Sequence, residues 1–376
     1  MTLRWIEGFE RLQDETIAAR LYTNVSGSFN HASIEGPRGG LCADSSNLVA
    51  RTPVLVGSVA NTWVTGIAMR VTAGQLDSAP AARPYISLRN SAGEQLKLEI
   101  IDAPDTSKPG GAYYKLRVMR GAVELARTVE RFSGLASDLE WTYIEFKATV
   151  RTGVNGSFSL KFTKRKGTTQ TATWDAANTG INTANQGSDG ADRAEFAWTT
   201  GSAGDRMGYD DIYILDSAGT VNNDFLNPVY IEGITPSANG NSTDWVLAGG
   251  ATNLEDAWNE PVGSQSLAED DKRVTSDAVG QISLATMTNL VDITNTTIIG
   301  VQARMFGKME TTGSRDVQIM YRKTTGGAAQ TNGGTKTFTS TAFDALADTQ
   351  ELDPNTGAAW TITNINGEEL GVKLSA

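Results

Sequence analysis

Tyr209-Asp210-Asp211-Ile212-Tyr213-Ile214-Leu215-Asp216 reads as one strong strand, and Ser217-Ala218-Gly219-Thr220-Val221-Asn222-Asn223-Asp224 follows it as a turn-rich break. A β-rich unit therefore closes near residue 216 and a second opens near 226. The pattern upstream is of the same kind. Trp63, Thr65, Ile67, Met69 and Val71 alternate with Val64, Gly66, Ala68 and Arg70, and the first set makes a buried face. Tyr85–Arg89 and Gln95–Ile100 flank the turn Asn90-Ser91-Ala92-Gly93-Glu94. In the second of these strands Leu96, Leu98 and Ile100 point one way, while Gln95, Lys97 and Glu99 point to water. Tyr113–Met119 and Ala122–Ala126 form a second hairpin around Arg120-Gly121. Tyr143–Val150 and Ser157–Phe162 form a third, with Asn155-Gly156 suited to positive φ. The polar stretch 165–195 reads as a long surface loop. Helix candidates are few: Arg11–Tyr22 and Ala251–Trp258.

A meander of amphipathic strands, each with one polar face, packs sheet on sheet as a sandwich or jelly roll. The second unit begins with Pro228–Ile234. Thr297–Phe306 and Asp316–Arg322 are read as partner strands, and Leu370–Leu374 closes the chain. The expected architecture is all-β: a jelly-roll sandwich over 1–218, a linker at 219–226 and a second, smaller β-sandwich over 227–376.

The totals narrow the function. The 376 residues carry 39 glycines and a net charge of −11. An acidic chain is a poor partner for a phosphate backbone, so nucleic acid is not an expected ligand. With one cysteine, Cys42, and one histidine, His31, neither an intrachain disulfide nor a multi-thiolate zinc site can form. No apolar N-terminal run suggests a signal peptide, and no segment suggests insertion in a membrane. His31, in a polar stretch, and Cys42, after Gly39-Gly40-Leu41, read as structural residues. Adjacent Asp210 and Asp211 fall on opposite faces of a regular strand, which argues against a shared calcium ion. Glu269-Asp270-Asp271 lacks the spacing of a calcium loop. Glu99 and Asp102, and Glu140 and Glu145, stand at odd spacings, so neither pair shares a strand face as paired glycosidase carboxylates would. The expectation is a chain with no catalytic residues, no cofactor, no metal and no enzymatic activity. Trp63, Trp141 and Trp198 lie in or beside strands and read as core. Trp174, inside the polar stretch, is the candidate contact for a glycan or a protein partner.

Glu7-Gly8-Phe9-Glu10 at the start and Tyr209–Asp216 as the closing strand give residues 1–216 a resemblance to concanavalin A-like (laminin-G-like) jelly rolls. With Asn222-Asn223-Asp224-Phe225-Leu226, Trp245 and Asp353-Pro354-Asn355-Thr356-Gly357-Ala358-Ala359-Trp360-Thr361, the whole chain resembles a family of tailed-bacteriophage virion proteins. That resemblance implies a structural part of a virion, in tail, fibre or baseplate or decorating the head. It implies other virion proteins as partners, assembly as a homo-oligomer with a trimer expected, and synthesis in the host cytoplasm. The alternative expectation is a carbohydrate-binding, receptor-recognising module that touches host surface glycans.

Overall fold

A computed structural model describes residues 2–8, 22, 24–27, 43–45, 47–56, 59–72, 83–103, 113–133, 141–164, 167–199, 206–258, 272–290, 297–323 and 333–376. His31, Cys42, Glu140, the 269–271 acidic run and the first helix candidate up to residue 21 lie outside the described residues. The chain divides into two compact units, Met1–Ile231 and Glu232–Ala376. Both are built of antiparallel β-sheet.

The first unit opens with β1 (Thr2–Glu7), β2 (Asn24–Gly27), β3 (Ala43–Ser45), β4 (Asn47–Arg51), β5 (Thr62–Thr72) and β6 (Arg83–Asn90). Next come β7 (Gly93–Asp102), β8 (Tyr113–Arg120), β9 (Val123–Arg127), β10 (Phe132–Ser133) and β11 (Thr142–Thr149). It ends with β12 (Gly156–Lys164), β13 (Gln170–Thr171), β14 (Thr179–Ile181), β15 (Arg193–Thr199) and β16 (Arg206–Asp216). Sheet one has the order β1-β16-β5-β11-β12-β13, with β3 on β16 and β14 on β12. Sheet two has the order β10-β8-β7-β6-β15-β4-β2, with β9 also on β8. This is the jelly-roll sandwich.

The three expected hairpins form as β6–β7, β8–β9 and β11–β12. The positive φ in the last turn belongs to Gly153, not to Asn155-Gly156. Alternate residues fill the space between the sheets: Trp63, Ile67, Ile144, Phe146 and Leu160 from one side, Leu88, Leu96, Leu98 and Leu116 from the other, all buried. Phe132 of sheet two meets Phe162 of sheet one edge to face, with ring centroids 5.1 Å apart.

Two expectations fail in sheet one. Its outer face is not polar at the centre. Val64, Ala68, Trp141, Tyr143, Tyr213 and Leu215 form a second apolar cluster there, and Phe225, Leu226 and Val229 pack onto it. The central strands are thus buried on both faces. In addition, Pro228–Ile234 is not a strand of the second unit. Residues up to Ile231 belong to the first unit and lie against sheet one without ladder partners.

The described part of the polar stretch, 167–195, is likewise no free loop. Thr171 pairs with Lys161 of β12, and the Ala172 amide donates to the Leu160 carbonyl at 2.9 Å. The next residues then join sheet two: the Val129 amide donates to the Thr173 carbonyl at 2.8 Å, Thr128 bridges Trp174, and the Asp175 amide donates to the Arg127 carbonyl at 2.9 Å. Residues 170–175 therefore close one edge of the sandwich by bonding both sheets. Further on, Thr183 is fully buried and serves the β11–β12 turn, while Asn185 donates to the Glu94 carbonyl at 3.1 Å.

The second unit holds β17 (Pro236–Thr243), β18 (Val246–Ala248), α1 (Leu254–Trp258), β19 (Arg273–Thr275), β20 (Ile282–Met287) and β21 (Val301–Gly307). It continues with β22 (Arg315–Lys323), β23 (Thr335–Phe338), β24 (Asp344–Gln350), α2 (Ile362–Asn366) and β25 (Glu368–Leu374). Five strands form the sheet β17-β20-β25-β22-β23, and β21-β24 forms a two-stranded sheet. Ala303 and Leu346 of the small sheet meet Ile319 and Tyr321 of the large one, around Trp360 and Ile365. This is the smaller β-sandwich. The expected pairing of β21 with β22 is corrected: β22 lies between β25 and β23, and β21 takes β24. The Asp353–Thr361 stretch is a built turn. Asp353 is fully buried and accepts from the Asn355 amide, Thr356 Oγ1 and Asn364 Nδ2, each at 2.8 Å.

Candidate functional site

The outer face of sheet two holds the densest polar construction among the described residues. Its origin is strand alternation. Leu96, Leu98 and Ile100 turn inward, so Lys97 and Glu99 turn outward, and Arg117 does the same between Leu116 and Val118. Register then sets these side chains beside one another. Arg51 lies opposite Glu195, Glu195 opposite Ser87, and Ser87 opposite Lys97. Glu99 lies opposite Arg117, and Arg117 opposite Arg127. One belt of charge therefore crosses β4, β15, β6, β7, β8 and β9.

Every contact along it alternates in sign. Arg51 donates from Nε to Glu195 Oε2 at 2.7 Å and from a terminal nitrogen to the same oxygen. Arg89 donates to Glu195 Oε1 at 3.2 Å and lies 3.8 Å from Glu94. Lys97 sits 3.4 Å from Glu94 and 2.9 Å from Glu99. Arg117 reaches Glu99 Oε2 through Nε and a terminal nitrogen, both at 2.8 Å, and Glu124 at 3.2 Å. Arg127 closes the belt on Glu124 at 2.9 Å, with a second, shorter bond from Nε. Ser87, 1% exposed, lies beneath and bonds Glu94 at 3.2 Å.

The expectation that Glu99 points to water is half right. It faces outward, yet it is 4% exposed because its two cations cover it. The titration behaviour follows the pairing. Burial works against the Lys97 ammonium, yet Glu99 and Glu94 outweigh it and hold its pKa above the ordinary value. The bond from Arg127 pulls Glu124 below the usual carboxylate range, and Glu124 in turn raises Arg127. The result is a fixed row of donors and acceptors on rigid strands.

The outer face of sheet one is closed by contrast. Asp211 stands at a two-against-one β-bulge between Asp210 and Tyr213, with φ of +49°. Asp210 is bonded to the Asp211 amide at 2.8 Å, and Asp211 Oδ1 accepts from the Ile231 amide at 2.8 Å. Both aspartates are buried. Glu145 Oε1 accepts from the Tyr213 hydroxyl and, at 2.9 Å, from the Asn227 amide. The Leu226 amide donates to the Tyr213 hydroxyl at 3.2 Å. Burial first, against these bonds, raises the Glu145 pKa. Glu145 thus holds the chain's own segment down and is committed to structure.

Trp174, the candidate contact, sits half-buried at the edge seam and packs edge to face on Phe158, centroids 4.9 Å apart. It does not stand on the belt. Trp63 and Trp141 are buried, and the Trp198 side chain lies outside the described residues. No group of three or more His, Cys, Asp or Glu among the described residues is arranged to hold a metal ion.

No family model and no curated protein sequence matches the chain. Solved structures of similar architecture include the PL-14 alginate lyase from Aplysia kurodai, with 10% identity, TM-score 0.36, and 57% of this chain and 100% of that chain covered. An endo-β-1,4-glucuronan lyase from the fungus Trichoderma reesei has 12% identity and TM-score 0.31, over 51% of this chain and 90% of that one. Lectin I-B4 from Griffonia simplicifolia has 6% identity and TM-score 0.33, over 56% and 98%. The likeness is one of architecture and assigns no chemistry here.

It does overturn one expectation. Polysaccharide lyases stand among the matches, so the statement that the chain is not an enzyme is withdrawn. The physical reason is that strand register, and not spacing along one strand, decides which carboxylates share a face. Spacing within single strands misses carboxylates brought together across strands, and Glu94, Glu99, Glu124 and Glu195 share one face through register alone.

Proposed function

We propose that the first unit is a carbohydrate-binding module and that its ligand lies along the outer face of sheet two. One observation carries the reading. The outer face of sheet one is occupied by the chain's own 225–231 segment, while the outer face of sheet two bears a paired row of guanidinium, ammonium and carboxylate groups. A sugar hydroxyl donates and accepts at once, and adjacent donors and acceptors held in place suit it. Side chains already locked by their neighbours lose little freedom on binding. The test is a glycan microarray with the full chain, followed by calorimetric titration of the best binder. Arg89→Ala with Arg117→Ala is expected to weaken binding by about tenfold or more. A titration unchanged by that pair of substitutions refutes the placement.

A second reading rests on Asn222–Leu226, Trp245 and Asp353–Thr361, the residues that carry the likeness to tailed-phage virion proteins. In it the chain is a part of a phage particle, placed in the tail or on the head, with other virion proteins and copies of itself, three by preference, as partners. The two readings agree where such a part recognises host glycans. Gold labelling of particles with an antibody to the C-terminal residues tests it, and unlabelled particles from producing cells would count against it.

A further inference from the structure

The charge balance of the belt says which class of glycan it suits. Five cations, Arg51, Arg89, Lys97, Arg117 and Arg127, face four carboxylates, Glu94, Glu99, Glu124 and Glu195. Each carboxylate touches two of the cations, and each cation touches at least one carboxylate. Two of the four carboxylates are hidden: Glu99 and Glu195 are 4% and 7% exposed. An acidic sugar approaching this row meets cations that are each already paired with at least one glutamate. To pair with them it must compete with a glutamate fixed on its strand, and taking one cation away leaves that glutamate, buried in the case of Glu99 and Glu195, with a single partner. A neutral sugar displaces nothing. Its hydroxyls accept from guanidinium N–H groups and donate to carboxylate oxygens without breaking an ion pair.

Resting on the carbohydrate-binding reading, we infer that the belt selects neutral, polyhydroxylated glycans over uronates and other acidic ones. The chain's overall charge of −11 works in the same direction, since it repels polyanions at long range. The same argument predicts how the preference is reversed. Removing Glu99 from the middle of the row leaves Lys97 with Glu94 alone and Arg117 with Glu124 alone, and these two cations, each short of one partner, would then accept an acidic sugar.

The experiment uses the full chain, wild type and Glu99→Gln. A microarray carrying neutral and acidic glycans is read first. Cellohexaose, maltohexaose, mannohexaose and hexagalacturonate are then titrated at low and high salt. The wild type is expected to bind a neutral glycan with affinity changing less than about threefold across the salt range. It should bind hexagalacturonate at least about tenfold more weakly, whereas Glu99→Gln should gain about tenfold for hexagalacturonate, in a salt-sensitive manner. Glu124→Gln, at the exposed end of the row, is expected to show the same reversal more weakly and serves if Glu99→Gln does not fold. Preference of the wild type for acidic glycans, lost with salt, overturns the inference and leaves the carbohydrate reading standing. Variants whose preference is unchanged overturn the charge-compensation argument. A wild type that binds no glycan of either class overturns both.

Discussion

At Asp211 a single residue decides how a whole face is used. Its φ of +49° is rare outside glycine and is tolerated by aspartate. The bulge aims the carboxylate at the Ile231 amide instead of at the far side of the sheet. Sequence spacing placed Asp210 and Asp211 on opposite faces because it presumed a regular strand, and a bulge has no signature in period-two alternation. Asp211→Ala is expected to cost about 2 kcal/mol, from the lost acceptor and the strained backbone together, measured by urea unfolding. Glu368 in the second unit offers a pH test. Burial, opposed by the bond from Asn355 and aided by Asp353, lifts its pKa to about 7 from an ordinary 4.5. A carboxyl raised on folding stabilises the protein while protonated. Its contribution is therefore complete below about pH 4.5 and is lost as the pH rises through about 7. The loss is about 3 kcal/mol, and Glu368→Gln is expected to flatten that part of a stability-versus-pH curve.

Among the elements, the hairpins were legible and the coverings were not. Consecutive strands with a clean alternation, such as Gln95–Ile100, announce both their type and their inward face. Val229-Tyr230-Ile231 has the same composition as a strand, yet no ladder receives it. Its backbone and that of its neighbours are satisfied by side chains: Asp211 for Ile231, Glu145 for Asn227, the Tyr213 hydroxyl for Leu226. Composition cannot tell these two ways of satisfying an extended backbone apart. Gly66 shows how closely the covered face is built, since a Cβ there would come within 2.0 Å of the Tyr213 ring. Gly66→Ala is expected to destabilise by about 3 kcal/mol, readable as a lowered midpoint in thermal unfolding. The 170–175 segment was hidden for another reason. Its short, polar sequence, Gln170-Thr171-Ala172-Thr173-Trp174-Asp175, carries no strand alternation, and only its bonds to β12 and to Arg127–Val129 make it a seam. Trp174→Ala is expected to cost roughly 2 kcal/mol through lost packing on Phe158.

For the molecule as a whole, the all-β character of both units followed from alternation, because it depends on local pattern alone. The candidate site did not, because the belt is a property of register. Lys97 and Glu99 showed an outward face in the sequence, but Arg117, Arg51, Glu195 and Arg89 join them only once the strands are set side by side. Spacing within single strands sets Glu99 against Asp102 and does not connect it with Glu94, Glu124 and Glu195, and Trp174, singled out for its place in a polar stretch, packs on Phe158 at the edge of the sandwich. The two outer faces of the first unit divide the labour: one is spent on the chain's own segment, and the other carries ordered polar groups outward. Hydrogen–deuterium exchange of the full chain, with and without its best-binding glycan, tests that division most directly. The account predicts added protection in peptides spanning 83–127 and none in peptides spanning 206–231. Protection centred on 206–231, or on peptides of the second unit alone, would contradict it.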